Sequence, residues 1–128
     1  MIRFAKLFSV VLVLLVVAGC SKPPETEMQS ANAAIEAAKA AEAEQYTPKA
    51  YRAAMDSLNA ANAAKTEQDG KFVLFRSYGK SKDMFVRAEA VAKKVATDAA
   101  SEKERVKAEV TTMLADTKML LDSAQVMV

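Results

Sequence analysis

Between Tyr78 and Met127 every seventh residue is apolar or aromatic: Tyr78, Phe85, Ala92, Ala99, Val106, Met113, Leu120 and Met127. An α-helix returns to nearly the same face after seven residues, drifting by only about 20°. A strict recurrence over this length therefore selects a helix with a coiled-coil-like seam, and a strand with its period of two cannot reproduce it. No proline follows Pro48, and Gly79 is the only glycine after Gly70. The pattern predicts one long helix over 71–127. Its companion positions are less regular. Ala88 and Val95 sit three residues on, whereas Ala96, Val110, Thr117 and Ala124 sit four on, so the seam drifts around the helix.

Ser101-Glu102-Lys103-Glu104 has the form of a capping box, with a hydroxyl followed three residues later by Glu. Two alternatives stand, a continuous helix and a helix broken near Ser101. If it is continuous, the part beyond Ala100 overruns its neighbours. Val106, Val110, Met113 and Leu120, with Leu114 and Leu121 beside them, then form a seam that needs another partner.

The preceding chain is dense in alanine, the best helix former, because its side chain loses no entropy on folding. Met28, Ala31, Ile35 and Ala38 mark a first helix over 25–45, opened by a Thr26–Gln29 capping box. Thr47 and Pro48 suit an N-cap and a first helical residue. A second helix over 48–68 carries Tyr51, Ala54, Met55, Leu58 and Ala61 and ends at Asp69-Gly70, where Gly70 can take a left-handed cap. The tight turn between them predicts an antiparallel hairpin. The fold class is all-α: a helical hairpin plus a long third helix, as a three- to four-helix bundle or a coiled-coil-like assembly. The Phe72-Val73-Leu74-Phe75 run is expected to close its core.

The amino-terminal end reads as an address. Arg3 and Lys6 precede an uncharged run from Leu7 to Gly19, which is the layout of a secretory signal peptide. The run is shorter than the roughly 20 residues a spanning helix needs. Val17-Ala18-Gly19-Cys20 resembles a lipobox, the cleavage signal of bacterial lipoproteins. The resemblance implies removal of residues 1–19, a covalent lipid on Cys20, and a short Pro-containing tether over 20–24 before the helical domain at 25–128. Ser21, where an Asp would retain such a protein in the inner membrane, implies the periplasmic face of the outer membrane. Cys20 is the only cysteine, so no disulfide framework exists.

Charge narrows the partners. The chain has 18 basic and 16 acidic side chains, and without Arg3 and Lys6 the basic count falls to 16. This balance gives no electrostatic footprint for nucleic acid. Residues 25–69 hold 4 basic and 8 acidic groups; residues 70–97 hold 7 basic and 2 acidic ones. Lys80, Lys82, Arg87, Lys93 and Lys94 are candidates for an anionic-ligand patch, or else they neutralise the acidic helices beside them. With no His and no second cysteine, acid–base, nucleophilic and metal chemistry lack their usual groups. Glu36, Glu42, Glu44 and Asp56 are read as a solvated face. No catalytic residue, cofactor, metal or small-molecule substrate is expected.

The middle of the chain, ANAAIEAAKAAEAEQYTPKAYRAAMDSLNAANAA with the following DGKF and RAEAVAKKVATDAA, resembles the alanine-rich domain of unknown function 4398. Tyr46, Pro48, Ala53, Leu58 and Ala61 sit at the matching places over roughly residues 25–100. The resemblance implies an exported bacterial lipoprotein with a tetratricopeptide-like helical hairpin and no assigned catalytic residues. The segment after Ala100 departs from that pattern. The expectation is a lipid-anchored, non-enzymatic scaffold acting through helix–helix contacts with a protein partner or a second copy. The rival is a module that binds an anionic envelope component, lipopolysaccharide, phospholipid or peptidoglycan, through the basic third helix.

Overall fold

The computed structural model describes residues 22–128. The expected signal segment over 1–19, with Val17, Ala18 and Gly19, and the lipidation candidate Cys20 lie outside the described residues. The elements are α1 (Glu25–Ala40), α2 (Ala43–Tyr46), α3 (Pro48–Asp69), a 3-10 turn (Val73–Phe75) and α4 (Gly79–Val126). The all-α class is as the sequence implies, with no strand among the described residues.

Helix α1 begins directly after the two prolines, where the Pro24 carbonyl accepts the Met28 N–H at 2.9 Å. Thr26 falls inside the first turn, and no side chain caps this end. The anticipated capping box therefore does not form. Glu25 and Glu27 instead place negative charge at the positive end of the helix dipole. The helix stops at Ala40 and does not run on to Gln45. Glu42 takes the left-handed conformation at φ 59°, redirecting the chain so that Ala43 enters the core at 0% exposure. Thr47 and Pro48 occupy the predicted N-cap and first-turn positions of α3, although the Thr47 hydroxyl donates back to the Ala43 carbonyl at 3.2 Å.

Helix α3 ends without a left-handed glycine, since Gly70 has φ −74°. Its last carbonyl, on Asp69, accepts from Arg76 Nη2 at 2.9 Å. The Ser77 N–H donates to Gln68 Oε1 at 3.0 Å. These bonds hold residues 71–78 as a closed loop, so α4 starts at Gly79 and not at Lys71. From there it is continuous for 48 residues, through Ser101. The capping-box sequence there is ordinary helix interior.

Helix α4 is the hub: α1 and α3 pack chiefly against it and only sparsely against each other. Salt bridges fix the directions. Glu27 meets Lys82 near the starts of α1 and α4, and Glu42 meets Lys103 farther along, so α1 runs parallel to α4. The Tyr78 hydroxyl donates to Asp69 Oδ1 at 2.5 Å, joining the end of α3 to the start of α4, and α3 packs back along α4, so the two run antiparallel. The core comprises Ala31, Ala34, Ile35, Ala38, Ala43, Ala54, Leu58, Ala61, Phe85, Ala88, Ala92, Val95 and Ala99, nine of the thirteen being alanine. Such small side chains let helix axes approach to the low end of about 8–10 Å. They also leave Phe85, Leu58, Ile35 and Val95 to supply most of the apolar area. From Tyr78, the residue before α4, the buried positions Tyr78, Ser81, Phe85, Ala88, Ala92, Val95 and Ala99 alternate by three and four, a regular heptad seam.

Length decides where the core ends. Helix α3 has 22 residues, about 33 Å at the standard rise, whereas the 48 residues of α4 span about 72 Å. The neighbours bury α4 fully only as far as Ala99, with Glu102, Lys103 and Val106 half-buried beyond it. Every residue from Lys107 to Val128 is exposed. Helix α4 therefore leaves the bundle as a single free-standing arm.

Candidate functional site

The arm presents the clearest unfulfilled feature of the molecule. Of the sequence-derived seam, Val106 is half-buried, Val110 is 44% exposed, Met113 53% and Leu120 72%. Leu114 and Leu121 are 66% and 59% exposed beside them. These side chains recur along one face of a helix that has nothing packed on it.

This face is not a simple continuation of the buried seam. Up to Ala99 the companions of the heptad residues lie three positions on: Ser81, Ala88 and Val95. Beyond it, those same positions become Glu102, Glu109, Asp116 and Ser123. The uncharged companions move to four positions on, at Val110, Thr117 and Ala124, with Leu114 and Leu121 widening the stripe. One residue is about 100° of helix rotation. The apolar flank of the arm has therefore swung around α4, away from the line occupied by α1 and α3. Ion pairs support the arm near its root. Arg105 reaches Glu102 at 2.6 Å and Glu109 at 2.9 Å, and Lys107 reaches Glu104 at 3.2 Å. The Glu102 carboxyl is held below its usual range by the Arg105 guanidinium. Past Glu109 no such ion pair is found among the described residues. The outer half of the arm thus relies on intrinsic propensity, which alone leaves an isolated helix marginal.

The basic candidates are spread along α4. Lys82 sits 3.1 Å from Glu27, Lys93 2.5 Å from Glu89 and Lys94 2.5 Å from Asp98. Lys80 and Arg87 are exposed. Arg87 borders a shallow surface hollow with Ser57, Ala60 and Met84. The Glu27 carboxyl is held below the usual carboxylate range by its own backbone N–H and by Lys82. Three of the five cations thus serve ion pairs, one joining α1 to α4. The structure does not draw the five into one concave site.

The four carboxylates singled out in the sequence are not gathered either. Glu36 and Asp56 are exposed, Glu42 pairs with Lys103, and Glu44 lines an open hollow with Pro48, Tyr51, Arg52 and Met55. The Glu42 carboxylate raises the Lys103 pKa through their hydrogen bond. Among the described residues, no group of three or more acidic, His or Cys side chains could hold a metal ion. No described helix is long and apolar enough to cross a membrane.

The Phe72–Phe75 run is the clearest correction. It is not core: Phe72 is 66% exposed, Val73 45%, Leu74 60% and Phe75 75%. A helix through this segment would have buried part of it. The loop held by Arg76 lifts it off the end of the bundle. Four consecutive apolar residues read locally as core, and only the chain reversal between α3 and α4 puts them at the surface.

No protein-family model, curated protein or solved structure matches the chain.

Proposed function

We infer that the protein is a lipid-anchored, non-enzymatic scaffold of the bacterial outer membrane, working on its periplasmic face through helix–helix contacts made by the arm. The observation that carries this reading is the unpartnered stripe of Val110, Met113, Leu114, Leu120 and Leu121 on a helix whose root is firmly packed. Exposed contiguous apolar surface of this kind marks interaction sites in folded proteins. A stripe at positions a, d and e is what a partner helix fills. The alanine-rich family resemblance and the lipobox at Cys20 supply the address. The geometry supports it too. Lys22–Pro24 enter the bundle at the start of α1, the end opposite the arm. An anchor attached there leaves the arm projecting outward by about 40 Å beyond Ala99.

Sedimentation of the unlipidated chain from Lys22 onward tests the reading, together with photo-crosslinking from Met113 and Leu120 in intact cells. Self-association at micromolar concentration, or capture of one discrete protein, is the expected result. A Met113→Glu/Leu120→Glu double variant should abolish either. A strict monomer with no crosslink from either position defeats the scaffold reading.

A further inference from the structure

We propose that the Phe72–Phe75 loop is a second membrane contact, dipping into the bilayer interface beside the lipid on Cys20 and so fixing the tilt of the bundle. The inference rests on the lipid-anchor reading for its setting and on three observations for its content.

The first is chemical. Phe72, Val73, Leu74 and Phe75 form the most concentrated exposed apolar cluster outside the arm, with both rings more than half exposed. Two aromatic rings and two aliphatic side chains on one tight turn match an interfacial anchor. The second is rigidity. The Phe75 N–H closes the 3-10 turn on the Phe72 carbonyl at 2.9 Å, and the two rings pack with centroids 6.2 Å apart. Arg76 staples the base by donating from Nε to the Lys71 carbonyl and from Nη2 to the Asp69 carbonyl, each at 2.9 Å. The cluster is held outward and does not fold back to cover itself.

The third observation is position. Glu25 at the start of α1 lies 3.6 Å from Lys65 near the end of α3, and Lys65 lies 3.0 Å from Asp69. The loop follows Asp69 directly. Residues 1–21 join the described chain at Lys22, at this same end of the bundle. Lys22, where the described chain begins, and the apolar loop therefore lie at one end of the bundle, and the arm leaves from the other end. Charge agrees with a lipid surface as the occupant. Ion pairs offset most of the acids here: Glu27 pairs with Lys82, Glu67 with Lys71, and Glu25 and Asp69 share Lys65, which leaves exposed Asp83 outside these pairs. Exposed Lys22 and Lys80 are left to face anionic headgroups.

The test uses the mature lipidated protein reconstituted in vesicles of phosphatidylethanolamine and phosphatidylglycerol. The chain has no tryptophan, so Leu74→Trp and Leu120→Trp each give a single fluorophore. Lipids brominated high on the acyl chain should remove more than half of the Leu74→Trp emission, with a blue shift, and leave Leu120→Trp unquenched. Adding Phe75→Glu should restore the Leu74→Trp emission without changing helicity, because Phe75 is 75% exposed. Unquenched Leu74→Trp emission on vesicle-bound protein overturns the proposal. So does emission already blue-shifted without vesicles, which would put the loop against protein or a second copy. The mass of the amino-terminal peptide reads the anchor separately. An unmodified Cys20 defeats the anchor reading, and the same quenching at saturating vesicles then decides the loop on its own.

Discussion

Phe85 and Leu120 occupy the same heptad position, five repeats apart on one helix, yet their alanine variants should behave oppositely. Phe85 is 0% exposed and Leu120 is 72% exposed. Truncating a buried Phe to Ala costs about 3–5 kcal/mol, the cost rising when the surroundings cannot collapse into the space left. Nine of the thirteen core residues are alanine. They have no side-chain freedom with which to refill a cavity, which places Phe85→Ala in the upper half of that range. Set against a typical stability of about 5–15 kcal/mol, the loss is a large share of the total. At roughly 4–8 °C per kcal/mol, the melting temperature should fall by well over 10 °C. Leu120→Ala removes a side chain already in water, so at high dilution its effect should stay within about 0.5 kcal/mol. Thermal and urea unfolding followed by far-ultraviolet circular dichroism, on dilute unlipidated protein, measures both. As concentration rises the parent should gain stability by mass action and Leu120→Ala should not. Equal destabilisation by the two substitutions in dilute monomer would mean that the arm is packed, and the distinction between root and arm would fail.

Three further outcomes are expected. Gly70→Ala should stabilise by about 0.5–1 kcal/mol in chemical denaturation, because Gly70 sits at φ −74° and an added Cβ meets only the Glu67 and Thr66 carbonyls at 3.6 and 3.8 Å. Ala92→Leu, at a fully buried position between packed helices, should destabilise by about 1–3 kcal/mol through overpacking; an unchanged unfolding midpoint would show that the helices are farther apart than the alanine seam implies. The Tyr78–Asp69 hydrogen bond should shape the pH profile at both ends. Tyr78, then Lys65, holds the Asp69 carboxyl below its usual range, so this contribution is present above the ordinary carboxylate range and lost as pH falls through the lowered value. The same bond, with burial, raises the Tyr78 phenol, so its contribution is present below about pH 10 and lost as pH rises through the raised value. In melting curves taken across pH, Tyr78→Phe should be less stable on the plateau and show shallower limbs on both sides; limbs unchanged from the parent would refute the assignment.

Sequence and structure part company at identifiable residues. The helices themselves were legible, because alanine content and i, i+3, i+4 spacing act within a turn or two of backbone. Ala31, Ile35, Ala54, Leu58, Phe85 and Ala92 are buried as their periodicity implied. The overrun beyond Ala100 was legible too, by comparing lengths. Glu42 was not: a left-handed Glu has no local sequence signal, and its geometry is held by the burial of Ala43 and the bond to Lys103. Nor was the loop at Phe72–Phe75, where hydrophobicity suggested core and chain reversal required the surface. The cations at Lys82, Lys93 and Lys94 could be read as a patch until their carboxylate partners were located.

By itself, then, the amino-acid order determined that this chain would be helical, where its long seam would run, and that the seam would outlast its neighbours. Helix formation is decided by hydrogen bonds four residues apart, so a local pattern suffices. Only the tertiary structure decided which stretch of that seam is covered, that α1 and α3 share α4 as their common support, and that Lys22 and the Phe72–Phe75 loop lie at one end while the arm leaves from the other. Those facts depend on pairing residues such as Glu27 with Lys82 and Asp69 with Tyr78, contacts between separate elements that no local period encodes.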